Sequence, residues 1–227
     1  MPAFSALLAL VLCCSTEAPM NVENIHWLGH ASFRITDGAM QIYIDPWKLP
    51  AGAPKADVIL VTHAHFDHFS AEDIAKIEKP GTRFVAPADV AAKLSGKNVV
   101  AAAPGGQYSV GTVQVSAVPA YNLNKQFHPK ANAWVGYVVT LSSGQRIYHT
   151  GDSDAIPEMD QVKTDVALMP CGGTYTMTAA EVAAAANRFK PAILIPMHWG
   201  DIVGSKAEAD AVSKAFTGKT LVLQPER

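Results

Sequence analysis

Cysteine is nearly absent from this chain of 227 residues: it has three, and two of them, Cys13 and Cys14, adjoin one another near the start. Cys171 is then the one thiol of the body, which excludes an internal disulfide framework there. The fold must rest on its apolar core, and a chain of this length buries enough surface for that. No His or Asn follows Cys171 in a nucleophile pattern, so it reads as a small buried side chain. Charge of one sign is also missing, since 18 Lys and Arg face 20 Asp and Glu, a net −2. Without a basic field a phosphate backbone finds nothing to hold it, and nucleic-acid partners are not expected. Long apolar runs are lacking too. The nearly unbroken stretch Ala3–Cys14 falls short of the ~20 residues a membrane helix needs, so no transmembrane span is expected.

That stretch has the length of a secretory h-region, followed by the small polar segment Ser15–Pro19, yet no Lys or Arg occurs before Arg34. Residues 1–19 therefore read either as a signal or leader, or as an extension upstream of a true start at Met20. The first reading implies export, periplasmic or lipid-anchored through Cys13 or Cys14. The second implies a cytoplasmic protein. Either way the fold is expected in residues 20–227, as one domain.

What is present is a globular profile: 49% hydrophobic and 17% charged residues exclude a disordered chain. From residue 23 onward, short β-branched runs alternate with turn signals. Asn24–Leu28, Ser32–Thr36 and Met40–Asp45 read as strands, with Asp37-Gly38 turning between the last two. Asp57–Thr62 reads as a buried strand. Further strands are expected at Arg83–Ala86, Asn98–Ala101, Thr112–Val118, Trp134–Leu141, Gln145–Thr150, Asp165–Met169, Ala192–Met197 and Thr220–Gln224. Ser70 and Pro87 open two helices, to about Lys79 and Leu94. Capping boxes at Thr178/Glu181 and Ser205/Glu208 open two more, to Lys190 and near Gly218. Strands outnumber helices, with hairpins early and αβ alternation later, which suggests two layers of sheet with helices outside.

The chemistry concentrates after the Asp57–Thr62 strand, in His63-Ala-His65-Phe-Asp67-His68. Imidazole nitrogens and carboxylate oxygens are ligands for zinc and its neighbours. In extended chain, His63, His65 and Asp67 share one side, and His68 joins them once the chain turns toward the helix at Ser70. Three His and one Asp in six positions make a strong metal signal. Asp152, in a glycine-containing turn after a strand, and His198, at the end of an apolar strand, could project donors to the same place, although taken alone a turn Asp and a strand-end His are as often structural.

The His63-x-His65-x-Asp67-His68 block resembles the signature of the metallo-β-lactamase-fold hydrolases. Trp27-Leu-Gly-His30-Ala-Ser-Phe33, Ile44-Asp45-Pro46, His149-Thr-Gly-Asp152, Pro170-Cys-Gly-Gly173 and Ile195-Pro-Met-His198 are similar, in order, to landmarks of the branch that includes ascorbate-phosphate lactonases. The resemblance covers residues 22 to 204. It implies an α+β fold, an αββα sandwich of two mixed β-sheets flanked by helices, with metals at one edge of the sheets. It also implies two ions, most simply zinc (Zn2+), with Mn2+, Fe2+ and Ni2+ compatible with the donors. One ion would take Asp67, His68 and His198, the other His63 and His65, with Asp152 bridging. The family's usual further histidine is missing from Val118-Pro-Ala-Tyr121-Asn122, and Asn122, His128 and His149 are the candidates to replace it. Asp45 and His30 are expected to support the ligands from behind.

Metal coordination brings the pKa of a bound water toward neutrality and makes hydroxide available as a nucleophile. The expected activity is hydrolysis of a small ester, lactone or phosphodiester, with Asp67 and Asp152 as catalytic carboxylates. Gly173, Thr174 and Tyr175 form a candidate substrate loop whose N–H groups could meet an anion. Tyr121, Phe127 and Trp134 could form an apolar wall, with Trp199 and Gly200 bordering the mouth. The rival from another class is a metal-binding sensor or scaffold without turnover, favoured by the missing histidine. A β-lactamase is less expected for the same reason, and a nuclease for want of basic charge. The partner is a small-molecule substrate, with self-association into a homo-oligomer left open.

Overall fold

The computed structural model describes residues 21–226, so the leader expectation for residues 1–19 lies outside the described residues. Each half of the chain builds one sheet. The first holds β1 (Ile25–Gly29), β2 (Ser32–Asp37), β3 (Met40–Ile44), β4 (Val58–Leu60), β5 (Arg83–Pro87) and β6 (Val99–Ala102), in sequence order. Its β1–β2–β3 portion is antiparallel, and β3 to β6 run parallel. Helices α1 (Ala71–Ile77) and α2 (Ala88–Lys93) make the crossovers.

The second sheet repeats the plan. It comprises β7 (Gln107–Val110), β8 (Val113–Pro119), β9 (Val135–Thr140), β10 (Arg146–His149), β11 (Val166–Pro170), β12 (Ile193–Met197) and the two-residue β13 (Lys219–Thr220). Here β7 to β10 are antiparallel and β10 to β13 parallel. Helices α3 (Ala179–Phe189) and α4 (Lys206–Ala215) flank it, each opened by the expected capping box.

Period-two alternation decides which side chains face which layer. In the first sheet Ile42, Ile44, Val58, Leu60 and Val85 point to the core between the sheets. Their neighbours Tyr43, Ile59, Val61, Phe84 and Ala86 point outward, onto Ile74 and Ile77 of α1 and Val90 of α2. The second sheet meets the inter-sheet core through Val113, Val115 and Ala117 of β8. This is the αββα sandwich of two mixed sheets that the motifs imply.

Four local readings need correction. The short strand β7 is unanticipated, because Gln107-Tyr-Ser-Val110 is mostly polar and sits at the sheet's edge. The last strand stops at Thr220 rather than Gln224, and the tail continues to Glu226, whose N–H donates to the Trp27 carbonyl at 2.8 Å. Asp45 lies beyond β3, in left-handed conformation at φ 49°. The hairpin between β2 and β3 turns at residues 38–39, with Asp37 paired to Met40. Among the described residues, no helix is long and apolar enough to cross a membrane.

Candidate metal centre

The ends of β1, β3, β4, β10 and β12 place their following residues at one rim of the sandwich. β4 leads into His63–His68, β10 into Asp152 and β12 into His198. Gly151 takes φ 58° in the turn before Asp152, and a Cβ there would come within 3.2 Å of Thr62 Cβ, so the left-handed turn and the close approach both call for glycine. Gly172 is needed for a different reason. A Cβ there would meet the carbonyl oxygen of His198 inside any permitted contact.

Among the described residues the ligating atoms gather in three groups, each with its atoms within 4.8 Å of one another: His63, His65, His128 and Asp152; His30, Asp67, His68 and His198; and, behind them, Asp45, His63 and His68. Asp152 stands between the first two. Its Oδ1 lies 3.3 Å from His68 Nε2, and its Oδ2 lies 3.2 Å from His198 Nε2 and 3.8 Å from His63 Nε2. Asp67 Oδ2 is 3.6 Å from His68 Nε2 and 3.7 Å from His198 Nε2. The motif residues His63, His65, Asp67, His68, Asp152 and His198 thus converge as expected.

The residues behind them decide which way the imidazoles face. Asp45, fully buried, accepts from Thr62 N at 2.7 Å, from Thr62 Oγ1 at 2.6 Å and from His68 Nδ1 at 2.7 Å. A carboxylate only accepts, so His68 carries a proton on Nδ1 and turns Nε2 toward the centre, where an ion would take that atom's lone pair. The Thr62 hydroxyl gives its single proton to Asp45 and lies 2.9 Å from His63 Nδ1, which must therefore be the donor. One carboxylate orients two histidines, one directly and one through a hydroxyl. Thr62 carried no expectation, although its place between an apolar strand and the first histidine was visible. His30 Nε2 donates to Asp67 Oδ2 at 2.9 Å, its ring packs against His198 with centroids 3.7 Å apart and planes tilted by 40°, and its carbonyl accepts from His198 N at 2.8 Å. The supporting roles expected of Asp45 and His30 match these contacts.

Of the three candidates for the missing histidine, His128 reaches the centre. The loop from residue 120 to 133 folds back over the rim, where Asn122 clasps it: Asn122 N donates to the His128 carbonyl at 2.7 Å, and His128 N donates to Asn122 Oδ1 at 3.0 Å. Asn122 is thereby a positioning residue with its oxygen occupied. His149 is directed elsewhere, with Nε2 donating to the Ala31 carbonyl at 2.8 Å and Nδ1 accepting from Gly151 N at 3.1 Å. With both nitrogens bonded inside the sandwich, it has none left for an ion.

The donor set fits a metal. His128 is 1% exposed, yet neither ring nitrogen has a hydrogen-bond partner. His68 Nε2, His198 Nε2 and Asp152 Oδ1 are also buried without one. Orphaned buried polar atoms are costly, and several aimed at one place mark a ligand. Electrostatics agrees. Burial, reinforced by neighbouring imidazoles, holds His63 well below the usual histidine range, and burial pushes His128 down to about 3. Burial also opposes charge on His68 and His198, but the carboxylates outweigh it, lifting His68 well above its ordinary value and His198 to about 8. The neutral histidines offer lone pairs, while Asp67 and Asp152, held low by the surrounding imidazoles despite burial, demand positive charge.

Residues 24–198 match the family model described as the beta-lactamase superfamily domain. A UPF0173 metal-dependent hydrolase of Myxococcus xanthus is 36% identical over 240 residues, covering 93% of this chain and 86% of that protein. One from Thermococcus onnurineus is 34% identical, covering 88% and 96%. The chain belongs to the beta-lactamase superfamily, as a metal-dependent hydrolase. Among solved structures, a Parabacteroides distasonis protein with a metal-dependent hydrolase name aligns at TM-score 0.76 and 33% identity, covering 88% of this chain and 93% of that one. Igni18, a metallo hydrolase of Ignicoccus hospitalis, shares the fold at TM-score 0.73 and 24% identity, covering 89% and 95%.

Above the metal centre this hydrolase has a cavity of about 270 Å³, lined by His65, Asp67, His128, Asp152 and His198 below and by Phe66, Phe127, Tyr175 and Ile202 above. Phe127 and Tyr175 meet edge to face at 4.8 Å. Of the expected substrate loop, Tyr175 lines the cavity and Gly173 and Thr174 do not. Gly173 N donates to the Met177 carbonyl and Thr174 N to the Gly172 carbonyl, so neither is offered to an anion. Of the expected apolar wall, only Phe127 lines the cavity. Tyr121 turns its hydroxyl to Glu158, and Trp134 lies beneath His63, His65 and His128 with Nε1 donating to Asp89 at 2.8 Å. Trp199 is buried against Trp27, leaving Ile202 where Trp199 and Gly200 were expected. Cys171 is buried, and burial pushes its thiol up to about 12, so it is inert.

Proposed function

We propose that this chain holds two zinc ions and hydrolyses a small ester, lactone or phosphodiester, with residues 20–227 acting as one domain. One ion is assigned to His63, His65 and His128, the other to Asp67, His68 and His198, with Asp152 shared. The observation that carries this reading is the buried, unpartnered imidazole of His128 completing the first group. The non-catalytic alternative drew its strength from an incomplete first site, and His128 removes that support. Ions bound in such a set supply Lewis acidity and lower the pKa of a bound water.

The chain's own contributions follow from its contacts. Asp45 and Thr62 hold His63 and His68 in the tautomers that ligate. His30 fixes the Asp67 carboxylate from behind, leaving its remaining oxygen to accept a hydrogen bond from a water and orient it. Phe66, Phe127, Tyr175 and Ile202 shield the reacting centre from bulk water, where charge interactions would be weakened. Among the described residues no Lys or Arg lines the cavity, in keeping with a small substrate rather than a nucleic acid.

The test is elemental analysis of purified protein, followed by hydrolysis assays with lactones, esters, phosphodiesters and a β-lactam, before and after chelation. Two zinc per chain and chelator-sensitive hydrolysis of one non-lactam class are expected. Metal-replete protein that hydrolyses none of them overturns the reading.

A further inference from the structure

We propose that the substrate is a neutral ester or lactone bearing an apolar group about the size of a phenyl ring, held among Phe66, Phe127, Tyr175 and Ile202. The inference rests on the hydrolase reading above and narrows it. Phe66 is 68% exposed, Phe127 47%, Ile202 39% and Tyr175 36%, four of the six large apolar side chains that stand out among the described residues. They converge on one cavity above the metal centre rather than scattering singly over the surface. Contiguous exposed apolar surface at a pocket mouth marks a binding site.

Charge complementarity sets the rest. Every ionisable group lining the cavity, apart from the Tyr175 phenol, belongs to the ligand groups. Lysines on the bordering loops are engaged elsewhere: Lys125 bonds Asp154 at 2.6 Å, and Lys48 bonds Asp201 at 3.0 Å while covering Trp47. An anionic group distant from the scissile bond would lose its water against four apolar side chains and find no cation in return. A neutral ring finds edge and face contacts on the Phe127–Tyr175 pair. The cavity's 270 Å³ lies near the small end of ligand sites, so the substrate is one acyl or lactone unit with one such substituent.

The chemistry balances with water alone. Water's oxygen bonds to the acyl carbon, the acyl carbon–oxygen bond breaks, one of water's protons goes to the departing oxygen and the other is released to solvent. The carboxylate product is charged where the substrate was not, and walls without cations favour its release.

Three γ-butyrolactones distinguish the outcomes on zinc-loaded full-length protein: unsubstituted, phenyl-substituted and carboxylate-substituted, with bis(nitrophenyl) phosphate as the anionic aromatic control. Calorimetric binding of the phenyl-substituted γ-lactam, which is not consumed, supplies a second measurement. The phenyl lactone is expected to exceed the unsubstituted one at least about tenfold in kcat/KM, and the carboxylate lactone to fall below it. Phe127→Ala and Tyr175→Ala are expected to collapse the phenyl preference toward unity and to weaken lactam binding about tenfold. A preference for the carboxylate lactone or the phosphate, or a phenyl preference untouched in both variants, overturns the inference while leaving the hydrolase reading intact. If no lactone, ester or phosphodiester is hydrolysed but the lactam still binds and Phe127→Ala weakens that binding about tenfold, the reading of substrate turnover fails and the apolar site stands.

Discussion

Replacing Asp45 with Asn changes almost no volume but reverses the hydrogen-bond logic of the centre. Asp45 accepts three hydrogen bonds, from Thr62 N, Thr62 Oγ1 and His68 Nδ1. An asparagine that keeps its oxygen on Thr62 N turns its NH2 toward His68 Nδ1 and Thr62 Oγ1. His68 must then accept at Nδ1, which moves its proton to Nε2, the atom facing Asp152 and any ion. The opposite amide orientation sets NH2 against the Thr62 N–H, donor against donor. Either way, zinc binding must first undo a favourable arrangement. Changes to such supporting partners weaken metal affinity about 10–100-fold, equivalent to roughly 1.4–2.7 kcal/mol. The backbone tolerates the exchange, because Asn accepts the left-handed φ of 49° at this position. Asp45→Ala lacks that tolerance and adds about 1–2 kcal/mol of backbone strain, plus roughly 1–3 kcal/mol for an orphaned Thr62 N–H. The assay is a competitive zinc titration of Asp45→Asn against the parent, with ring-nitrogen NMR reporting the His68 tautomer. Affinity within about twofold of the parent, with Nδ1 still protonated, would refute the reasoning.

His128→Ala is expected to lower zinc content toward one ion per chain while the fold persists, measured by elemental analysis after dialysis. His149→Phe should do the reverse, keeping two ions but losing about 2–5 kcal/mol in urea unfolding, because the Ala31 carbonyl and Gly151 N–H are left without partners. The acid limb of stability should depend on Asp73. Burial raises its carboxyl, but Lys76, Ser70 and the N–H groups of Leu49 and Lys48 outweigh it and hold the group below its ordinary 3.8. A depressed carboxylate stabilises the fold above 3.8 and loses that contribution as pH falls through its folded value. Unfolding of Asp73→Asn against the parent should show a gap that is constant above about pH 5 and narrows toward pH 2. A gap that widens on acidification contradicts the assignment.

Legibility in the sequence tracked how locally each feature is encoded. His63, His65, Asp67 and His68 lie in one turn after one strand, so spacing alone announced them. Asp152 and His198 needed the resemblance to a family, since a turn Asp and a strand-end His are common. His128 could only be one of three, because its position depends on the loop folding back and on the clasp with Asn122, neither of which has a periodic signal. His149 misled for the opposite reason. It sits next to the Thr150-Gly-Asp152 turn, yet the parity of β10 points it at the Ala31 carbonyl. Capping boxes placed α3 and α4 correctly because the box is itself a local device. The polar edge strand β7 escaped because its pairing with β8 supplies what its composition does not.

The division of the sandwich into two sheets, one from each half of the chain, gives the ligand set a mechanical meaning. His63, His65, Asp67 and His68 come from the first half, and His128, Asp152 and His198 from the second. An ion bound among them would act as a rivet between two pieces otherwise joined by core packing and by hydrogen bonds such as Tyr137 Oη to the Val61 carbonyl at 2.9 Å. Free zinc at about a thousand times its dissociation constant would add roughly 4 kcal/mol to that seam. If the polypeptide were cut in the connection at 103–106, the two fragments would reunite in the presence of zinc and part under chelation.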